Sequence, residues 1–212
     1  MIFRNRKEAG SILAGKLIKY VKANTVILAI PRGGVPVAYE IAQSYGIPLE
    51  LILIKKIGHP ANKEYAIGAA SLSHYFIKDH ESTDPEYIME ELERIRHKMK
   101  ALYSKFKGNQ QPVQLKDKIV IIVDDGIATG NTMIATIQVV KESKPEKIIV
   151  ATPVASSTAV KGLKEIADDV IAVYIPPEFY GVGAFYQDFE QVSDEEVVDL
   201  INKSTLSYQG DQ

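Results

Sequence analysis

Residues 26–30 and 119–123 are continuously apolar over the length of a strand. Runs without the polar alternation of a half-exposed strand predict strands buried on both faces. Residues 170–175 repeat the pattern, and residues 49–54 and 147–153 follow it with Glu50, Lys147 and Thr152 as the polar exceptions. Between them the period changes to that of a helix, over 35–45 (stopping at Gly46), 132–143 and 157–167. Continuous apolar strands alternating with helices predict an α/β fold, with a mostly parallel sheet flanked by helices on both faces.

The remaining segments extend this plan. Asn5 followed by Glu8 has the form of a capping box, with Ile2 or Phe3 placed to staple a helix running to about Tyr20. Residues 66–72 and 75–77 read as two short strands joined around Ser73 and His74, a turn without the usual glycine. From Asp84 to Lys107, the residues Ile88, Leu92, Ile95, Met99, Leu102 and Phe106 recur at spacings of four and three and share one helical stripe. That helix is expected to pack on its own domain, with a dimer or lid contact as the alternative. Residues 108–112 (GNQQP) are the most linker-like stretch. Ser193 with Glu196 forms a second capping box, opening a final helix to about Asn202, and the tail over 204–212 is expected to fray.

Composition narrows the class. With 212 residues, 46% of them hydrophobic, the chain reads as a single domain over 1–212. Its net charge of -2 is spread along the chain, which disfavours nucleic acid as a partner. The absence of cysteine excludes disulfides and a thiol nucleophile. The apolar runs are strand-sized and the first residues are charged, so neither a membrane span nor a signal peptide is expected, and the location is expected to be cytoplasmic. His59, His74, His80 and His97 lack the spacing of a zinc site.

The chemistry concentrates in IVIIVDDGIATGNTM, residues 119–133. Here a buried strand ends in two carboxylates, then a small-residue loop, then a helix, and ligands of open α/β sheets bind at the carboxyl ends of strands. Gly126, Ala128 and Gly130 keep bulk away, so backbone N–H groups can approach an anion, while Thr129 and Thr132 can add hydroxyl donors. The lysine and spacing of a nucleotide-binding P-loop are missing. Adjacent carboxylates beside a phosphate need something between them, either sugar hydroxyls or a hydrated Mg²⁺. A sugar phosphate satisfies both halves.

This segment closely resembles the 5-phosphoribosyl pyrophosphate signature of type I phosphoribosyltransferases. The resemblance implies that fold, with a small hood and flexible loop region, and several roles. Asp124 and Asp125 would hold the ribose hydroxyls and orient a Mg²⁺-bound substrate, the metal meeting the protein through substrate or water. Gly126, Ile127, Ala128, Thr129, Gly130, Asn131 and Thr132 would enclose the 5-phosphate. Residues 30–36 (IPRGGVP) are similar to the family's pyrophosphate loop, with Arg32 as the cation and Gly33 and Gly34 giving backbone access. By themselves those residues also fit a tight strand-to-helix turn. Residues 55–68 (KKIGHPANKEYAIG) resemble the start of the mobile catalytic loop, where Lys55 or Lys56 would meet pyrophosphate unless the pair is simply solvated. Gly58, Pro60 and Asn62 suit a loop that moves.

Residues 179–189 (FYGVGAFYQDF), within a stretch of 176–192, stand where the family places a hood over the base. Phe179, Tyr180, Phe185 or Tyr186 would stack on a heterocycle or pack against the sheet. The implied partners are 5-phosphoribosyl pyrophosphate, a nitrogenous base and a second copy in a homodimer. The implied reaction is phosphoribosyl transfer with release of pyrophosphate. Ala128 replaces an aspartate that hypoxanthine-guanine members use for the purine ring, which argues against a 6-oxopurine. The rival is a regulatory protein that binds the same ligand without turnover, and a more distant one is a ribose-phosphate hydrolase or phosphorylase.

Overall fold

The structure, a computed structural model, describes residues 1–78 and 83–209, with side chains as far as Ser204. The continuous apolar runs form a parallel sheet in the order β2, β1, β6, β7, β8. Its strands are β1 (Thr25–Ala29), β2 (Leu49–Leu51), β6 (Ile119–Val123), β7 (Lys147–Val154) and β8 (Asp169–Tyr174). Pleating sends alternate residues to opposite faces. Ile27, Ala29, Ile119, Ile121 and Val123 enter one core with residues of α1 (Arg6–Leu17), α2 (Gly34–Tyr45) and α6 (Asp194–Gln209). Val26, Leu28, Val120 and Ile122 enter the other, under α4 (Asn131–Lys141) and α5 (Ser157–Lys164).

The predicted helix limits hold closely, with local differences. Asn5 caps α1 by accepting from the Glu8 N–H at 3.0 Å, but the Glu8 carboxylate reaches back to Arg4 instead of closing the box on Asn5. Phe3, and not Ile2, is the buried anchor, sharing a cluster with Ala9. Gly46 ends α2 in the left-handed region (φ 60°), a conformation glycine adopts without a Cβ penalty. The last helix continues to Gln209 instead of stopping near Asn202; residues 210–212 of the expected tail lie outside the described residues.

A second sheet stands apart from the first, ordered β3 (Lys55–His59), β4 (Asn62–Ala70) and β5 (Tyr75–Ile77), all antiparallel. Its β3–β4 hairpin occupies the segment expected to be a mobile loop. The glycine that suggested mobility is required by pairing: a Cβ on Gly58 would lie 2.4 Å from the Lys63 carbonyl oxygen. Ile57 and Ile67 anchor the hairpin in the core. The glycine-free turn between β4 and β5 is closed by Ser71, whose hydroxyl accepts from the His74 N–H at 3.0 Å. Helix α3 (Pro85–Lys107) buries Ile88, Leu92, Ile95, Met99 and Phe106 in the same core, packing against the hairpin and α6. Its apolar stripe is thus spent within the chain.

Candidate active site

Strands β1 and β6 are neighbours in register, Ala29 beside Val123. From β1 the chain proceeds to β2 on one side, and β6 lies on the other. Loops 30–36 and 124–130 therefore leave the carboxyl ends of adjacent strands at a switch in strand order, where α/β sheets open a crevice. The two loops touch. A Cβ on Gly33 would stand 2.1 Å from Asp125 Oδ2, and one on Gly34 would stand 2.6 Å from the Val123 carbonyl oxygen. At Gly34 the obstruction is backbone and no side chain fits, while at Gly33 a side chain would have to push the Asp125 carboxylate aside, so the glycine pair does more than turn the chain into α2.

Asp124 is partly buried and Asp125 is buried. Burial pushes the Asp124 carboxyl well above its usual range, and the neighbouring Asp125 charge pushes it further. Burial also raises Asp125, opposed by the Arg6 guanidinium, whose Nε donates to Asp125 Oδ2 at 2.7 Å. Arg6 is held in turn by the Glu190 carbonyl at 2.8 Å and lies 3.9 Å over the Phe189 ring. Sequence reasoning missed Arg6. It stands in the first turn of a helix with no motif around it, and only the docking of residues 3–4 on 185–188 delivers it here.

The small-residue loop is pinned at its centre. Ile127 is buried, its N–H donates to the Val154 carbonyl at 2.9 Å, and its own carbonyl accepts from Ser156. Its amide is thereby committed to β7, which removes Ile127 from the set expected to donate to a phosphate. Ser156 also donates to the Ala128 carbonyl at 2.6 Å. Ala128, Thr129, Asn131 and Thr132 are exposed, and Gly130 turns in the left-handed region (φ 79°) to start α4. The first amides of a helix lack intrahelical partners, so the exposed end of this loop presents donors to an anion. Gly126 has a separate reason: a Cβ there would collide with Val182 at 2.3 Å.

Arg32 is exposed, and its Nε donates to Asp194 Oδ1 at 2.5 Å. Lys105 Nζ meets Oδ2 of the same carboxylate at 2.7 Å. A hollow of about 330 Å³ is lined by Arg6, Arg32, Gly33, Asp125, Phe189, Gln191 and Val192. Lys55 and Lys56 are exposed at the start of β3 and do not line it. Another hollow, of about 370 Å³, lies by the edge strand β2 and contains no residue of either loop, so the first is the candidate site. Among the described residues no cluster of three or more acids and histidines could hold a metal.

The four aromatic candidates separate. Phe185 and Tyr186 are buried with Phe3 and Val154, and the Tyr186 hydroxyl donates to the Asp125 carbonyl at 2.6 Å. Phe179 is half-buried with its ring 5.4 Å from that of Phe185. Phe185 and Tyr186 are thus packing residues, a correction to their expected place against a base: once the hood docks on the N-terminal segment, their rings fill its interior beside Phe3. Tyr180 is 81% exposed. Phe189, with its ring 5.0 Å from that of Tyr186, presents a further aromatic surface to the hollow.

The phosphoribosyl transferase domain family matches residues 3–179. The chain belongs to that family. The Mycobacterium tuberculosis protein Rv0571c, whose name assigns it provisionally to the phosphoribosyl transferases, is 32% identical over 208 residues, 96% of this chain and 47% of that protein. The chain spans about half the length of the curated relatives it matches so extensively. A uracil phosphoribosyltransferase from Sulfurisphaera tokodaii is 37% identical over 68 residues, 31% of each chain. Among solved structures, TT1426 from Thermus thermophilus superposes with a TM-score of 0.86 at 36% identity, covering 96% of this chain and 99% of that one. A purine phosphoribosyltransferase from Pyrococcus horikoshii shares the fold, with a TM-score of 0.50 at 20% identity over 89% of this chain and 92% of that one.

Proposed function

We propose that the chain binds 5-phosphoribosyl pyrophosphate with Mg²⁺ and transfers the phosphoribosyl group to a nitrogenous base, releasing pyrophosphate. The observation that carries this is the contact of Gly33 with Asp125, which joins a cationic loop to an acidic one at the ends of adjacent strands. Sugar hydroxyls bound by the acids would then stand between a phosphate on loop 126–132 and a pyrophosphate on loop 32–34. Within loop 126–132 the donors are Gly126, Ala128, Thr129, Gly130, Asn131 and Thr132.

In the reaction a ring nitrogen of the base forms a bond to the anomeric carbon. The carbon–oxygen bond to pyrophosphate breaks with its electron pair, and the base loses a proton. Positive charge builds on the ribose ring, so the protein's work is positional and electrostatic. Asp124 and Asp125 orient the ring, and Arg32 faces the leaving group. The two carboxylates fit a Mg²⁺ that arrives with its substrate and keeps its waters; that ion would neutralise the pyrophosphate. Tyr180 offers the exposed aromatic face that remains for a base.

Calorimetric titration with 5-phosphoribosyl pyrophosphate and Mg²⁺ tests this, comparing the wild type with the Asp124→Asn/Asp125→Asn double variant. Binding that the variant loses is expected. No binding by the wild type would overturn the proposal, and binding without product from any base would make the chain a regulatory binder.

A further inference from the structure

The Asp194 carboxylate bridges two cations that the sequence places far apart. Arg32 follows β1, Lys105 stands in the last turn of α3, and Asp194 opens α6. One carboxylate oxygen takes Arg32 Nε and the other takes Lys105 Nζ. A carboxylate and a phosphate are both acceptor-only anions that such a pair holds oxygen by oxygen. The side chains of Arg32 and Lys105 are 44% and 51% exposed, while that of Asp194 is 17% exposed between them. The cations are therefore reachable from solvent, and an internal anion occupies the place between them.

Taking loop 30–36 as the pyrophosphate loop, we propose that Lys105 is a second leaving-group cation and that Asp194 is an internal occupant which a pyrophosphate oxygen displaces. Displacement leaves Asp194 well placed. It lies in the first turn of α6, where the helix N-terminus favours a negative charge whether or not Arg32 is bound. Ser193 caps that helix independently, accepting from the Glu196 N–H at 3.1 Å, so α6 does not depend on the ion pair for its start. Nothing in the motif signalled Lys105, because its part depends on α3 packing against α6.

The test is calorimetric titration of inorganic pyrophosphate with Mg²⁺, and separately of ribose 5-phosphate, into the wild type, Asp194→Asn, Lys105→Gln and Lys105→Arg. Losing the internal competitor should tighten pyrophosphate binding by Asp194→Asn about twofold to fivefold, the scale of exposed ion pairs. Lys105→Gln should weaken it by a similar factor, and Lys105→Arg should restore it. Ribose 5-phosphate has no leaving group, so its affinity should stay constant throughout. Should Asp194→Asn fail to fold, the exposed Lys105 variants decide the matter. Unchanged or weaker pyrophosphate binding by Asp194→Asn, an unaffected Lys105→Gln, or parallel changes with ribose 5-phosphate would overturn the inference while leaving the proposed function standing. Absence of both pyrophosphate and 5-phosphoribosyl pyrophosphate binding by the wild type would overturn both.

Discussion

The Arg6 guanidinium and the Asp125 carboxylate meet at 2.7 Å across 119 positions of sequence, with side chains only 11% and 13% exposed. Removing one partner of so sheltered a pair leaves the other charge unpaired, and the expected cost of Arg6→Gln is about 3 kcal/mol. Thermal unfolding at pH 7 measures it. Arg6→Lys keeps the charge but loses the fork that also reaches the Glu190 carbonyl, so it should recover only part of the loss.

Gly33→Ala should abolish 5-phosphoribosyl pyrophosphate binding. The new methyl group would fall 2.1 Å from Asp125 Oδ2, so the Asp125 carboxylate has to leave its place against Arg6 or one of the two loops has to move. Overpacking of this kind costs about 1–3 kcal/mol, small enough for the chain to stay folded. Circular dichroism should therefore be native where calorimetry shows no binding. Wild-type affinity in the variant would refute the proposed contact between the loops.

Asp124→Asn should stabilise the ligand-free protein at neutral pH. Burial raises this carboxyl above its unfolded value. The folded state then holds the proton more tightly than the unfolded state, so stability is greatest below the unfolded pKa and falls as pH rises through the folded one. Asparagine carries no charge and escapes that loss. The gain in Tm over the wild type should be near zero at about pH 4 and grow toward pH 7. A gain independent of pH would show that charge burial is not its cause.

Tyr186→Phe and Tyr180→Ala should separate packing from recognition. The first leaves the Asp125 carbonyl without its donor and should cost about 1–2 kcal/mol in thermal unfolding. The second removes an 81% exposed ring and should leave Tm unchanged while raising KM for the base. A Tm drop in Tyr180→Ala, or none in Tyr186→Phe, would reverse the roles assigned to the two rings.

Much of the fold was legible because its signals are local. A strand buried on both faces shows itself as an unbroken apolar run, and residues 119–123 delimit β6 without adjustment. Gly46 marked the end of α2 for the same reason, since a left-handed cap needs no information from elsewhere. The β3–β4 pairing was not legible, because a glycine in sequence does not reveal whether space or motion requires it; Gly58 is needed where Lys63 comes close.

The sequence by itself determined that a strand ends in Asp124 and Asp125 and that a loop suited to an anion follows. Those features need only neighbouring residues, and local backbone chemistry is sufficient to specify them. Tertiary structure alone decided that β1 lies beside β6, and so that Gly33 meets Asp125. It also decided which groups stand against Asp125 and Arg32: Arg6 from α1 on the first, and Asp194 of α6, shared with Lys105 of α3, on the second. It turned Phe185 and Tyr186 inward and left Tyr180 outside. Charges and rings of this kind carry no periodic signal; their partners are set by how helices and sheet pack, and packing joins residues that the chain holds far apart.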